Sequence, residues 1–137
     1  MSESVRGISE SGLGAAFLAD EARKSRLILE ARLLRQRKEP EAAAAKFADA
    51  AAMEEQLGET FVQKQLRQKS FVHYFSAASC WAQAGNFYEA IALCDQLLAA
   101  QDLPAPLRTR IEQYADALHT RRAQWYGELV YQLAESP

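Results

Sequence analysis

The sequence predicts an all-α protein. Its about five helices would form an antiparallel stack of helix hairpins that ends in a long C-terminal capping helix. Alanine is abundant, whereas glycine and proline number only 6 and 4 in 137 residues, a composition that favours helices. Apolar residues recur at three- and four-residue spacings along most of the chain. No segment alternates apolar and polar residues over a useful length, so we expect no β-sheet.

The first helix is predicted over residues 13–38, because alanines and leucines return at helical spacings along one broad face. Arginines and lysines fill other positions, and those near the end suit the negative end of the helix dipole. Pro40 ends this helix and can open the next, where its missing N–H is not needed. The second helix is predicted over 40–57, and its many alanines would let a neighbouring helix approach closely.

The third helix is predicted over 60–84. Gly58 is the expected C-terminal cap of the second helix, and Thr60 is the first residue or the N-cap of the third. The second half of this helix is apolar almost all round, as in a helix that packs on two or more sides. Gly85 and Asn86 then form the turn to the fourth helix.

The last two helices are predicted over 87–100 and 107–134, with Pro104 and Pro106 in the loop between them. Towards the end of the fifth helix, apolar residues exceed a single stripe, which is typical of a helix that packs on something else. Self-association through this helix is therefore one expectation. The residues assigned to that surface are Trp125, Tyr126, Val130 and Tyr131.

An internal repeat is centred on the third and fourth helices. Its pattern is aromatic, small, aromatic, a Gly–Asn–aromatic turn and then alanine. The residues in the pattern are Tyr74, Ala77, Ala78, Trp81, Gly85, Asn86, Phe87, Ala90, Cys94 and Leu97. The first hairpin fits the same frame more loosely, with Ala43 standing 47 residues before Ala90. A third, partial frame opens the last helix at Ile111.

In these residues the chain resembles the tetratricopeptide-repeat family over about residues 24–120. The alternative is an irregular five-helix bundle, since the family's repeat is about 34 residues long and the spacing here is larger. The resemblance implies a partner-binding groove lined by the first helix of each pair. Its lining residues would be Ile28, Arg32, Arg35, Val72, Phe75, Ser79, Gln83, Glu112, Asp116 and His119.

One subclass of that family holds a peptide carboxylate with Lys and Asn residues in the groove. Ile28, Arg32, Phe75 and Ser79 stand at the corresponding positions here, so the carboxylate-binding role is not expected. The resemblance instead implies another protein or a peptide as the partner, bound in an extended or helical form.

Length and charge narrow the class of function. Residues 1–11, rich in Ser, Glu and Gly, are predicted to be a flexible tail, and 12–137 a single helical domain. A net charge of −2 gives no attraction to nucleic acid or anionic membranes. No secretory signal and no membrane span is evident in the sequence. We expect a cytoplasmic protein that binds neither membrane nor nucleic acid.

No catalytic chemistry is predicted. His73 and His119 have no nucleophile or carboxylate at a motif spacing, and no nucleotide-binding or hydrolase motif is present. Cys80 and Cys94 lie in apolar helical patterns without a CxxC spacing, so we expect reduced, buried thiols and neither metal nor cofactor.

The sequence therefore predicts a non-enzymatic protein–protein interaction module, an adaptor or scaffold. Two alternatives stay open. One is a structural or regulatory homodimer or larger homo-oligomer that associates through the C-terminal helix. The other is a helical protein that binds a small molecule near His73, Tyr74 and Trp81.

Overall fold

The computed structural model describes residues 14–135, which form five α-helices and contain no strand. The helices are α1 Gly14–Gln36, α2 Pro40–Gln63, α3 Arg67–Gln83, α4 Phe87–Ala99 and α5 Ala105–Glu135. Each helix packs against the next one along the chain. The predicted fold class, with its long last helix, is confirmed, while the tail predicted over 1–11 lies outside the described residues.

The turn between α2 and α3 lies later than the sequence predicts. Gly58 is not a cap but a buried residue inside α2, where an added Cβ would lie 3.0 Å from Cζ of Tyr74. Thr60 is also helical, and its hydroxyl donates to the carbonyl of Gln56. The local sequence predicts a stop at Gly58, but the close approach of the Tyr74 ring explains a glycine within a continuing helix.

The first three turns share one geometry. Lys38, Gln65 and Gly85 have φ values of 62°, 61° and 85°, in the left-handed region. The N–H of the residue after each one donates to the carbonyl five residues earlier, at 3.0, 2.8 and 2.8 Å. This is the Schellman arrangement, which satisfies carbonyls at the end of a helix. Only one of the three turns uses the glycine that such a conformation favours.

Side-chain contacts also connect alternate helices, in the order α1, α3, α5. The Phe17 ring on α1 lies edge-on to His73 on α3, with centroids 6.4 Å apart. Phe75 on α3 lies edge-on to Tyr114 on α5, at 5.5 Å. This order is compatible with a helical repeat stack, in which the first helix of every pair adjoins the next first helix.

Small residues form much of the core. Ala78 and Ala90, on facing helices of the central hairpin, are fully buried. The main cluster joins α3, α4 and α5, and a smaller one joins α1, α2 and α3 around Leu27 and Cys80. Alanine allows helix axes to come close, so the alanine-rich segments explain how the five helices pack closely together.

The first part of α5 is firmly attached to α4. The Arg108 guanidinium donates to the carbonyls of Leu98 and Ala100, at 2.7 and 2.6 Å, and so caps the C-terminal end of α4. Leu118 is the last buried residue of α5. From residue 123 to residue 134 every side chain is exposed. Roughly half of the helix therefore extends beyond the stack.

Candidate functional site

The predicted groove face is centred on Phe75 of α3. Its ring meets Tyr114 at an interplanar angle of 81°, and the guanidinium of Arg110 lies over the ring, 5.8 Å from its centroid. Burial raises the pKa of the Tyr114 phenol, and a hydrogen bond with Ser79 opposes that rise. Phe75 of α3 and Tyr114 of α5 thus form an aromatic surface, and the Arg110 cation lies at its edge.

The α1 side of this face is formed by Arg35. Its guanidinium donates to the side-chain and backbone oxygens of Gln83, at 3.3 and 3.4 Å, and lies over the Phe47 ring. The Gln83 amide donates in turn to Ser79. Three residues of the predicted groove, Arg35, Ser79 and Gln83, are therefore brought together across α1 and α3.

The three groove residues predicted on α5, Glu112, Asp116 and His119, are all exposed. Next to Phe75, a shallow depression of about 340 Å³ is lined by other α5 residues. These residues are Arg110, Gln113, Tyr114 and Ala117. Because α5 turns Ile111, Ala115 and Leu118 inward, this other flank of the helix adjoins α3.

The remaining predicted groove residues differ in exposure. Ile28 packs on the smaller core cluster, whereas Arg32 and Val72 are exposed. Arg35 and Arg110 border the aromatic centre of the face, which is formed by Phe75 and Tyr114. The described part of the face therefore combines aromatic rings with cations.

A polar cluster within the stack joins α1, α2 and α3. Glu54 is only 2% exposed, and its Oε1 accepts a hydrogen bond from Nδ1 of His73 at 3.0 Å. Because a carboxylate only accepts, Nδ1 carries the proton in this contact. Nε2 of His73 lies 3.6 Å from Glu21, and the Lys24 ammonium lies 3.6 Å from both carboxylates. The buried charge of Glu54 is thus paired and hydrogen-bonded.

Aromatic rings enclose this polar cluster. The His73 ring stacks on Phe61 with centroids 5.1 Å apart and an interplanar angle of 24°. Phe17 meets both rings edge-on. The side chains of Glu54 and His73 are only 3% and 16% exposed, and this burial strengthens the electrostatic contact between them.

The cluster also contains the one group of described residues that could supply three metal ligands. Ligand atoms of Glu21, Glu54 and His73 lie within 4.8 Å of one another. The Lys24 ammonium already provides a cation at both carboxylates.

Sequence reasoning identified His73 but missed its partners. A signal was present, because Glu54 falls on the buried face of α2 between Ala50, Ala51 and Leu57. A lone carboxylate at such a position requires a partner inside the protein. Spacing along one helix does not reveal that Lys24 and His73 provide it.

The sequence also suggests a small-molecule site near His73, Tyr74 and Trp81, but these three side chains make contacts in different parts of the stack. His73 belongs to the polar cluster, whereas Trp81 donates to Glu55 at 2.8 Å and Tyr74 donates to Glu59 at 3.2 Å. Burial, followed by the contact with Glu59, raises the pKa of Tyr74 to about 12. Tyr74 lines a cleft of about 430 Å³ between α2, α3 and α4. Trp81 and His73 do not line it, so the three residues do not share one pocket.

Both cysteines are free, buried thiols. Burial raises the pKa of each to about 11, and the nearby carboxylates of Glu54 and Asp95 add to the effect at Cys80 and Cys94 respectively. Thiols with such values remain protonated at neutral pH, and the thiolate is the reactive form. The arrangement supports a packing role for both side chains.

The exposed half of α5 carries the predicted self-association residues. The apolar side chains on this segment are between 37% and 66% exposed. They are Trp125, Tyr126, Leu129, Val130, Tyr131 and Leu133. The Trp125 and Tyr126 rings meet edge-on, and the Arg122 guanidinium lies over the Tyr126 ring. Sequence reasoning did not name Leu129 and Leu133 as part of this surface.

We find no match of this chain to a protein-family model, to a curated protein or to a solved structure. None of the helices within residues 14–135 has both the length and the apolar character needed to cross a bilayer.

Proposed function

We propose that the protein is a non-enzymatic protein–protein interaction module, with the role of an adaptor or scaffold. The observation that carries the proposal is the second half of α5, where six large apolar side chains are exposed on a segment that no other described helix covers. Apolar patches of this kind mark interaction surfaces on folded proteins. Aromatic residues such as Trp125 and Tyr126 are also the types that contribute most to binding energy.

A tetratricopeptide-like organisation is part of this proposal. It is supported by the three equivalent turns at Lys38, Gln65 and Gly85 and by the adjacency of α1, α3 and α5. In such a stack the face around Phe75 forms a second binding surface. Arg35 and Arg110 at its borders suit a peptide segment that carries acidic residues.

The chemistry of the buried groups supports a role without catalysis. The Cys80 and Cys94 thiols are protonated at neutral pH, and His73 is held between carboxylates inside the stack. A histidine enclosed by Phe17 and Phe61 has little room to meet a substrate. These groups stabilise a scaffold that presents its surfaces to partners.

Photocrosslinking in the source cells tests the proposal. A photoreactive phenylalanine analogue is placed at Val130 on the exposed segment, at Val72 on the groove face, or at Thr109 as a control. All three side chains are exposed, but Thr109 lies on the attached part of α5. We expect protein adducts from Val130, and fewer from Thr109. Equal labelling from all three sites, or no protein adduct from any of them, would contradict the proposal.

A further inference from the structure

We infer that the uncovered half of α5 pairs in an antiparallel manner with the same segment of a second copy of this chain, with Leu129 close to the twofold axis. The inference rests on the proposed function, because it names the partner of the surface that carries that proposal. The contact would be isologous, so that each copy contributes the same residues.

The exposed apolar residues continue an interface that already exists within the chain. Ile111, Ala115 and Leu118 are spaced by four and three residues and are buried in the main core cluster. Continuing these spacings of four and three residues beyond Leu118 gives Arg122, Trp125 and Leu129, which therefore lie on the same face of the helix. The face that is covered as far as Leu118 is uncovered afterwards. A second helix at this position would extend the packing that α5 already makes.

The exposed surface is large enough for a weak, specific dimer. Trp125 and Tyr126 are 54% and 50% exposed, and Leu133 is 66% exposed. With neighbouring side chains, two copies would bury on the order of 1,000 Å² in total, the lower end of the range for specific interfaces. We therefore expect a dissociation constant on the order of micromolar, with a mass that depends on concentration.

The position of α4 favours an antiparallel direction. On the shared face, α4 covers α5 as far as Leu118, and the Arg121 guanidinium lies over the Phe87 ring at the start of α4, 5.5 Å from its centroid. Parallel pairing in register on this face would bring the two α4 helices to the same level, where they would collide. Antiparallel pairing about Leu129 keeps each copy clear of α4 and places Trp125 of each copy beside Leu133 of the other.

The first test measures the mass of the full chain by light scattering over a concentration series. We expect a rise from the 15.3 kDa monomer towards twice that mass. Trp125→Ala should weaken the dimer by about thirtyfold, as the loss of an aromatic anchor does. Tyr88→Ala is the matched control, since Tyr88 is 73% exposed but lies on α4, and it should leave the dissociation constant unchanged.

Cysteine pairing tests the direction. Trp125→Cys and Leu133→Cys are mixed in equal amounts under mild oxidation, and the native thiols of Cys80 and Cys94 are buried and protonated. We expect disulfides mainly between the two different variants, because antiparallel pairing brings residue 125 of one copy beside residue 133 of the other. Circular dichroism of each variant shows that the helices are intact. Disulfides formed mainly within each variant would overturn the antiparallel arrangement.

Crosslinking of the purified full chain distinguishes a second copy from the other groups that could bind the exposed part of α5. With the photoreactive residue at Leu133, a product of two chains supports the inference. A link within one chain to residues 1–13 would overturn it in favour of the chain's own N-terminal segment. If the chain stays monomeric while Val130 captures a different protein in cells, the second copy is wrong but the proposed function stands. A monomer with no adduct in cells contradicts both.

Discussion

Two helical glycines have opposite surroundings, and each explains a different property of the molecule. Gly58 is buried in α2, and its Cα faces the ring of Tyr74 on α3. Gly127 lies in the exposed part of α5, and nothing lies within 4 Å of the place where its Cβ would be. The first glycine allows two helices to approach, while the second only reduces the helix propensity of its segment.

The same substitution should therefore change stability in opposite directions. Gly58→Ala would bring a methyl group within 3.0 Å of the Tyr74 ring, so we expect a loss of about 1–3 kcal/mol in the free energy of unfolding. Gly127→Ala should be neutral or stabilising by up to about 1 kcal/mol. Urea denaturation followed by circular dichroism measures both. An equal effect of the two variants would show that the contact with Tyr74 is unimportant.

The charge pair of Lys24 and Glu54 gives a second prediction at this scale. Lys24→Met leaves the buried Glu54 carboxylate with His73 alone, so we expect a loss of about 2–3 kcal/mol in the free energy of unfolding. Lys46→Met is the control, because the Lys46 and Glu30 side chains are 40% and 52% exposed and their pairing is worth less than about 1 kcal/mol. Thermal melts compare them, and similar losses would contradict a special role for Lys24.

The polar cluster also shows what residue-level reasoning from sequence can reach. Glu54 on a buried helix face is a detectable anomaly, and His73 in an aromatic run is another. Their pairing depends on how far α1 and α3 overlap when they are packed, and that is set by tertiary contacts. The components were therefore visible in the sequence, but the site was not.

At the scale of the elements, the three equivalent turns distinguish what local sequence can specify from what packing imposes. Gly85 is a recognisable turn residue, and the sequence places that turn correctly. Gln65 carries no such signal, yet it has a left-handed conformation that costs most residues about 1–2 kcal/mol. Packing of α2 on α3 overrides the preference, and for this reason the α2–α3 boundary could not be predicted.

This conformational cost can be removed at Gln65. Gln65→Gly should raise the free energy of unfolding by about 0.5–1 kcal/mol, because glycine adopts a positive φ without steric cost. Gln63→Gly, two residues earlier and at the last residue of α2, should lower it by up to about 1 kcal/mol. The pair is compared by urea denaturation. If Gln65→Gly also destabilised the protein, the turn geometry described for Gln65 would be incorrect.

At the scale of the whole molecule, the helix order was predictable, but the rotation of the last helix was not. Short turns and apolar periodicity determine an antiparallel sequence of helices, and the repeat pattern around Trp81 indicates how the central pair packs. Among the described helices, α5 packs on α4 and meets α3 through the rings of Phe75 and Tyr114. Its rotation follows from Ile111 and Leu118, so Arg110 rather than Glu112 faces the groove.

Local stability should differ along α5. Amides of residues 107–118 belong to the packed stack, whereas in 123–134 every side chain is exposed. In dilute solution we expect faster hydrogen exchange in the second segment, because its opening disrupts few buried contacts. Mass spectrometry measures the exchange, and protection of 123–134 should increase with protein concentration. Uniform protection of the whole helix at the lowest concentration would contradict this expectation.

The length of α5 has a consequence for how tightly the protein could hold a partner. Arg108 fixes the helix to the end of α4, and the antiparallel pairing inferred above would make two such helices into one rigid bar. The Leu118 residues of the two copies would then be roughly 30 Å apart along the helices, at 1.5 Å per residue. Two Phe75 faces would stand at a fixed spacing. A partner with two suitably spaced motifs would bind bivalently, and its avidity could exceed the affinity of one face by about 10²–10⁴-fold.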